Sequence, residues 1–198
     1  MRTILERNEA TVIRDRSSFI GIALHVTSKE LVEQYLKEIR KQYPKAKHYC
    51  YAYIIGNEKK CSDDGEPAKT AGRPLMEVLE KKEMDEILLV VVRYFGGVLL
   101  GASRLLSTYI ESGVAALNDV VTYRMVEKYV YHVEMSYNDF DHLKYLSKRL
   151  SFHLENIVYE TKISCDVLIN ESDVSTLIEE FPKSEIEVFG KKKVYVKE

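Results

Sequence analysis

The chain has 198 residues, with 29 Lys+Arg against 31 Asp+Glu, a net charge of −2, and 45% hydrophobic and 30% charged residues. These are the proportions of an ordinary globular protein of one full domain or two small ones. A pI near 6.3 excludes a uniformly basic nucleic-acid binder, so any such contact must use a local patch. The first residues, Met1 to Arg7, contain no apolar stretch of the signal-peptide kind. The longest apolar run, Ile87 to Val92, is far short of the roughly 20 residues of a spanning helix. Cys50, Cys61 and Cys165 are odd in number and widely spaced. They are expected as buried free thiols in a reducing cytoplasm, with neither a disulfide framework nor a zinc site.

In chain order, a strand around Thr11–Arg14 is followed by a second over Ser18–Val26. Thr27 and Glu30 have capping-box spacing and open a helix. Its apolar face is Leu31, Val32, Tyr35, Leu36, Ile39 and Tyr43, ending before Pro44. A strand over His48–Ile55 leads into a polar loop from Gly56 to about Thr70, and Pro74 marks the first turn of a short helix. Ile87–Val92 is continuously apolar, the pattern of a central strand covered on both faces. A Gly96-Gly97 turn precedes a helix carrying Leu105, Leu106, Tyr109, Ile110, Gly113, Val114 and Leu117.

Character changes near residue 120. Beyond Gly113 the only Gly is Gly190 and the only Pro is Pro182. Residues 1–125 carry 19 basic and 17 acidic residues, +2, and residues 126–198 carry 10 and 14, −4. The boundary is placed near residue 122. The second part reads Glu127–Met135, Asp139–Leu150, His153–Tyr159, Thr161–Ile169, Ser172–Phe181 and Glu185–Val196, the last interrupted near Gly190. That order, β-α-β-β-α-β, fits a ferredoxin-like split βαβ unit.

Three segments carry candidate chemistry. The first holds Asp63, Asp64 and Glu66 within four residues, followed by Pro67, Lys69, Thr70, Gly72 and Arg73. Such a turn either holds a cation or a general base, or is a Gly/Asp turn capping the helix at Pro74. The second is Arg93-Tyr94-Phe95-Gly96-Gly97 through Gly101, at a strand-to-helix turn of the kind that admits phosphate, without a Walker A or G-x-G-x-x-G pattern. Arg93 either binds an anion or pairs with the acidic turn, and Tyr94 and Phe95 either stack on a base or fill the core. The third is His48, which shares a strand face with Cys50. It serves either as a general base or as a hydrogen-bonded strand histidine.

Together these residues resemble the YigZ/Impact family: His48 before a strand, Ser62-Asp63-Asp64-Gly65-Glu66-Pro67, Thr70-Ala71-Gly72-x-Pro74, and Val92-Arg93-Tyr94-Phe95-Gly96-Gly97-x-x-Leu100-Gly101. The match runs from about residue 11 to 118, and the remainder resembles the smaller C-terminal domain of the bacterial members. The resemblance implies an α+β protein. Residues 1–122 would form an Impact N-terminal-like domain with the ribosomal protein S5 domain 2-like fold. Residues 123–198 would be ferredoxin-like, similar to the C-terminal domain of elongation factor G. The family's usual Gly before Thr70 is Lys69 here. Its Ala-Gly-Gly-Leu-Val-Arg-Ala-Tyr is Ala102-Ser103-Arg104-Leu105-Leu106-Ser107-Thr108-Tyr109. Side chains at Ser103 and Arg104 are therefore expected to obstruct any close approach that glycines would allow. Lys69, Arg73 and Arg104 become basic-patch candidates.

Functionally, the resemblance implies a non-enzymatic, cytoplasmic, translation-associated regulator contacting RNA, the ribosome or a translation-associated protein, without cofactor or membrane. Eukaryotic relatives regulate translation by competing for the activator of a starvation-responsive kinase, using an additional N-terminal domain not expected here. The residues leave two other readings open. One is a metal-assisted hydrolase built on the Asp63-Asp64-Gly65-Glu66 turn, and the other is a protein–protein adaptor.

Overall fold

The computed structural model describes residues 1–150 and 152–198. The chain divides into two compact units, Met1–Arg124 with Lys197–Glu198, and Met125–Val196.

The N-terminal unit is built on an antiparallel sheet with strand order β2-β3-β6-β4-β5. Its strands are β2 (Asn8–Arg14), β3 (Ser17–His25), β4 (His48–Ile55), β5 (Glu58–Ser62) and β6 (Ile87–Tyr94). β6 is central, as its unbroken apolar run requires. Alternate side chains feed two cores. Ile87, Leu89 and Val91 pack with α2 (Gly72–Lys81) and α3 (Ala102–Ala116), while Leu88, Val90 and Val92 pack beneath α1 (Lys29–Gln42). The unit is thus three layers with helices on both sheet faces. A short strand β1 (Arg2–Ile4), absent from the sequence reading, pairs antiparallel with Thr122–Arg124 at the start of β7 (Thr122–Met135). Glu198 closes the same corner through its N–H to the Thr122 carbonyl and an ion pair with Arg2.

Other sequence expectations are corrected here. The cap of α1 is Ser28, not Thr27: Ser28 has extended backbone, and its hydroxyl accepts the Leu31 N–H at 3.3 Å. The expected Gly56–Thr70 loop contains β5, a strand at the sheet edge where polar Lys59 and Lys60 face solvent and hide the alternation. Cys61 lies on that strand and is exposed, whereas Cys50 and Cys165 are buried.

In the second unit, α4 (Tyr137–Leu150) and α5 (Val174–Glu180) accompany β7 from residue 125 onward, β8 (His153–Tyr159), β9 (Ile163–Ile169) and β10 (Glu185–Lys197). The strand order is β10-β7-β9-β8. β10 is continuous through Gly190, contrary to the expected interruption. Val133, Met135, Ile163, Cys165 and Val167 form one core with Phe140, Leu143 and Leu146 of α4 and Leu177 of α5.

Candidate functional site

The acidic turn is built by its own hydrogen bonds. Asp63 accepts the N–H groups of Lys69 (2.9 Å), Ala71 (3.0 Å) and Gly72 (2.8 Å), so it caps the start of α2. Asp64 accepts the Tyr49 N–H at 2.7 Å and pairs with Arg40 at 3.0 Å. Thr70 is buried, and its hydroxyl donates to the Pro67 carbonyl at 2.6 Å. Gly72 has no substitute here, because a Cβ would lie 2.6–2.7 Å from backbone atoms of Ser62. One of the three carboxylates, Asp63, therefore holds the turn itself together, and Asp64 fastens it to β4 and α1.

Lys69 sits in the same turn with φ +63°, in left-handed space. A side chain there costs about 1–2 kcal/mol relative to Gly. Lys69→Gly retains the N–H donated to Asp63 and is expected to stabilise the protein by about 1 kcal/mol, read as a raised urea midpoint at unchanged slope.

Glu66, the third carboxylate, belongs to a buried network. Strand pairing sets Phe19 of β3, Arg93 of β6 and His48 of β4 in one row. Arg93 is 5% exposed, and its Nη1 donates to Glu66 Oε1 at 2.6 Å. The Tyr109 hydroxyl of α3 donates to the same oxygen at 2.8 Å. The Arg93 guanidinium lies 5.2 Å from the Phe19 ring centre and 5.5 Å from that of Phe95, and its Nε–H has no acceptor. His48 contacts the Asp64 carbonyl through Nδ1 at 2.9 Å; since a carbonyl only accepts, Nδ1 carries the proton. His48 Nε2 lies 3.9 Å from Glu66 Oε1.

Cys50 Sγ lies 3.0 Å from the Asp63 carbonyl oxygen and 3.3 Å from the Tyr109 hydroxyl. Burial pushes its thiol up to about 12, and the surrounding acids push the same way, against the Tyr109 hydrogen bond. Burial also raises the Tyr109 hydroxyl. Neither group is an ionised nucleophile at neutral pH.

Above this network lies a cavity of about 370 Å³. Lys47, His48, Glu66 and Pro67 form one side; Arg93 and Phe95 form another; the loop from Leu99 to Ala102 and Leu105 close it. Phe95 is 42% exposed and Leu99 87% exposed, so neither fills the core. α3 begins at this cavity. Its N-cap, Gly101, offers no side-chain cap, and its first turn holds no acidic residue.

Of the sequence candidates, His48, Glu66, Arg93, Phe95 and Gly101 thus meet at one cavity, with Asp63 and Asp64 buttressing it. Both structural alternatives are partly realised: Arg93 pairs with the acidic turn, and Tyr94 points to the other sheet face, packing in the α1 layer with its hydroxyl donating to the Pro44 carbonyl at 3.1 Å. Gly96 packs against the Arg16 backbone, and Gly97 forms the turn beyond it with φ +84°.

The basic-patch candidates do not converge. Arg73 pairs with Glu77 at 3.2 Å, Arg104 pairs with Asp15 at 2.8 Å, and Lys69 projects from the acidic turn; none of them lines the cavity. Ser103 and Arg104 are exposed and also absent from its walls. Sequence reasoning missed Lys47, Leu99 and Tyr109. In the sequence Tyr109 reads as part of an apolar helix face, although a buried tyrosine hydroxyl requires a polar partner.

The family model of the Impact N-terminal domain matches residues 15–117, the stretch that contains this cavity. The chain belongs to the Impact family. The IMPACT family member YvyE of Bacillus subtilis is 30% identical over 180 residues, covering 89% of this chain and 83% of its own. A solved hypothetical protein shares the fold at a TM-score of 0.64 and 26% identity, covering 94% of this Impact-family chain and 95% of its own. The solved two-domain translational regulator Yih1 is 25% identical over 58% of this chain and 46% of its own, with a TM-score of 0.32.

Proposed function

We propose that this Impact-family chain is a translation-linked regulator that acts by binding RNA through its N-terminal unit, without catalysis. The observation that carries this reading is the cavity. It joins Lys47, the Glu66-paired Arg93 and the His48 imidazole to an exposed aromatic ring, Phe95, with Glu66 as the one acidic residue among its described wall residues. Cations that track phosphate beside an aromatic that stacks on a base are the two components of single-strand recognition.

The hydrolase alternative has less support. Asp63 is bound to three N–H groups, Asp64 to Tyr49 and Arg40, and Glu66 to Arg93 and Tyr109. Carboxylates so engaged do not converge on a common point as metal ligands do. Among the described residues no cluster of His, Cys, Asp and Glu has metal-holding geometry. We read the N-terminal unit as ribosomal protein S5 domain 2-like. The β-α-β-β-α-β order and β10-β7-β9-β8 arrangement support a ferredoxin-like second unit.

The test is binding of the full chain to single-stranded RNA across a salt series. Lys47→Ala is expected to reduce the slope of log affinity against log salt by about 0.7, the effect of one lost phosphate contact. Phe95→Ala is expected to weaken binding about tenfold at every salt concentration, as loss of one stacked base does. Absence of binding at low salt would overturn the proposal. Capture of a protein in place of RNA from nuclease-treated ribosome fractions would favour the adaptor reading.

A further inference from the structure

We infer that the cavity is a single-nucleotide pocket, accepting a phosphate monoester attached to a flat base. This inference rests on the cavity being the binding site and specifies what enters it. Three independent features favour a phosphate. Arg93 is 5% exposed and lines the cavity, and its Nε–H is left without an acceptor. A buried N–H is almost always paired, so this orphan on a residue of the cavity wall marks an unsatisfied donor. The second feature is the start of α3, whose first N–H groups lack intrahelical partners by construction and whose N-cap supplies no side-chain acceptor. Gly101 and Ala102, at this helix start, belong to the cavity wall. The first turn holds no acidic residue, and the one carboxylate of the described cavity wall, Glu66, is already paired with Arg93. Third, exposed Lys47 adds a cation at the same wall.

The rest of the cavity is apolar. Phe95, Leu99, Leu100 and Leu105 supply the surface for a base, and the Phe95 ring already lies against the Arg93 guanidinium. A volume of about 370 Å³ is at the small end of ligand pockets and adequate for one nucleotide. Leu99, at 87% exposure, has no packing role that would explain an apolar residue there. The phosphate monoester has two sources, a free 5′-mononucleotide or the 5′ end of an RNA strand, and both present the same group.

Calorimetric titration of the full chain distinguishes them. The probes are adenosine 5′-monophosphate, adenosine, inorganic phosphate, and one RNA ten-mer with either a 5′-phosphate or a 5′-hydroxyl. A free-nucleotide source predicts one-to-one binding of adenosine 5′-monophosphate at least tenfold tighter than adenosine or phosphate. An RNA-end source predicts at least tenfold preference for the 5′-phosphorylated ten-mer. In either case Lys47→Glu and Leu99→Asp, both at exposed positions, should each weaken binding tenfold or more while circular dichroism and melting remain unchanged. The inference is overturned if neither nucleotide nor 5′-phosphate shows this preference, or if both variants bind as the parent does. RNA binding that ignores the 5′-phosphate would overturn the single-nucleotide pocket and leave the proposed function standing. Nucleotide binding without RNA binding would do the reverse.

Discussion

Replacing Arg93 by Ala is expected to destabilise the N-terminal unit by about 3–5 kcal/mol, the cost of stranding one member of a buried ion pair. The Arg93 and Glu66 side chains are 6% and 4% exposed and meet at 2.6 Å. Removing the guanidinium leaves the Glu66 carboxylate with the Tyr109 hydroxyl and a histidine nitrogen 3.9 Å away. It also withdraws the cation that lies near both Phe19 and Phe95. The loss would be a large part of a typical domain's total stability. Glu66→Gln retains an acceptor for Tyr109 and removes the charge, so Arg93→Ala in that background should cost less than in the parent. Urea unfolding of the four proteins measures the coupling. A cost below about 1 kcal/mol for Arg93→Ala would show that the pair is solvated and that the floor of the cavity is described wrongly.

Gly96→Ala is expected to cost about 3 kcal/mol, at the upper end of overpacking penalties. A Cβ at this position would lie 2.1–2.2 Å from the Arg16 carbonyl carbon and oxygen. Those are backbone atoms of the β2–β3 turn, where Asp15 and Arg16 already adopt φ +45° and +63°. The Gly96 N–H also donates to the buried Ser17 hydroxyl at 3.1 Å. Any accommodation must therefore move the Phe95–Gly101 segment, which forms one wall of the cavity. The variant should lose ligand binding together with stability. Thermal unfolding and an RNA titration measure the two effects, and a stable variant with parental binding would contradict the packing described.

Much of the fold was legible because its signals are local. The six-residue apolar run of β6 announced a strand covered on both faces, and the periodicity of α1 marked its length to within a residue or two. β5 was not legible: an edge strand with Lys59 and Lys60 facing solvent carries no alternation. β1 was missed because its three residues acquire meaning only from Thr122–Arg124, far away in the chain. The candidate site was legible as three separate motifs. Their convergence was not, since it depends on the strand pairing that sets His48 opposite Arg93. The surface arginines show the opposite failure. Arg73 and Arg104 looked like site cations, but each already has an acidic partner on the surface.

On the proposed function, RNA is held at the cavity of the N-terminal unit. Its most direct test is a titration of isotopically labelled full chain with a short single-stranded RNA, followed by backbone amide chemical shifts. The proposed function predicts the largest changes at Lys47, His48, Glu66, Phe95 and residues 99–105, saturating together with one affinity. Changes confined to residues 125–196, or none at RNA concentrations that saturate binding, would contradict it.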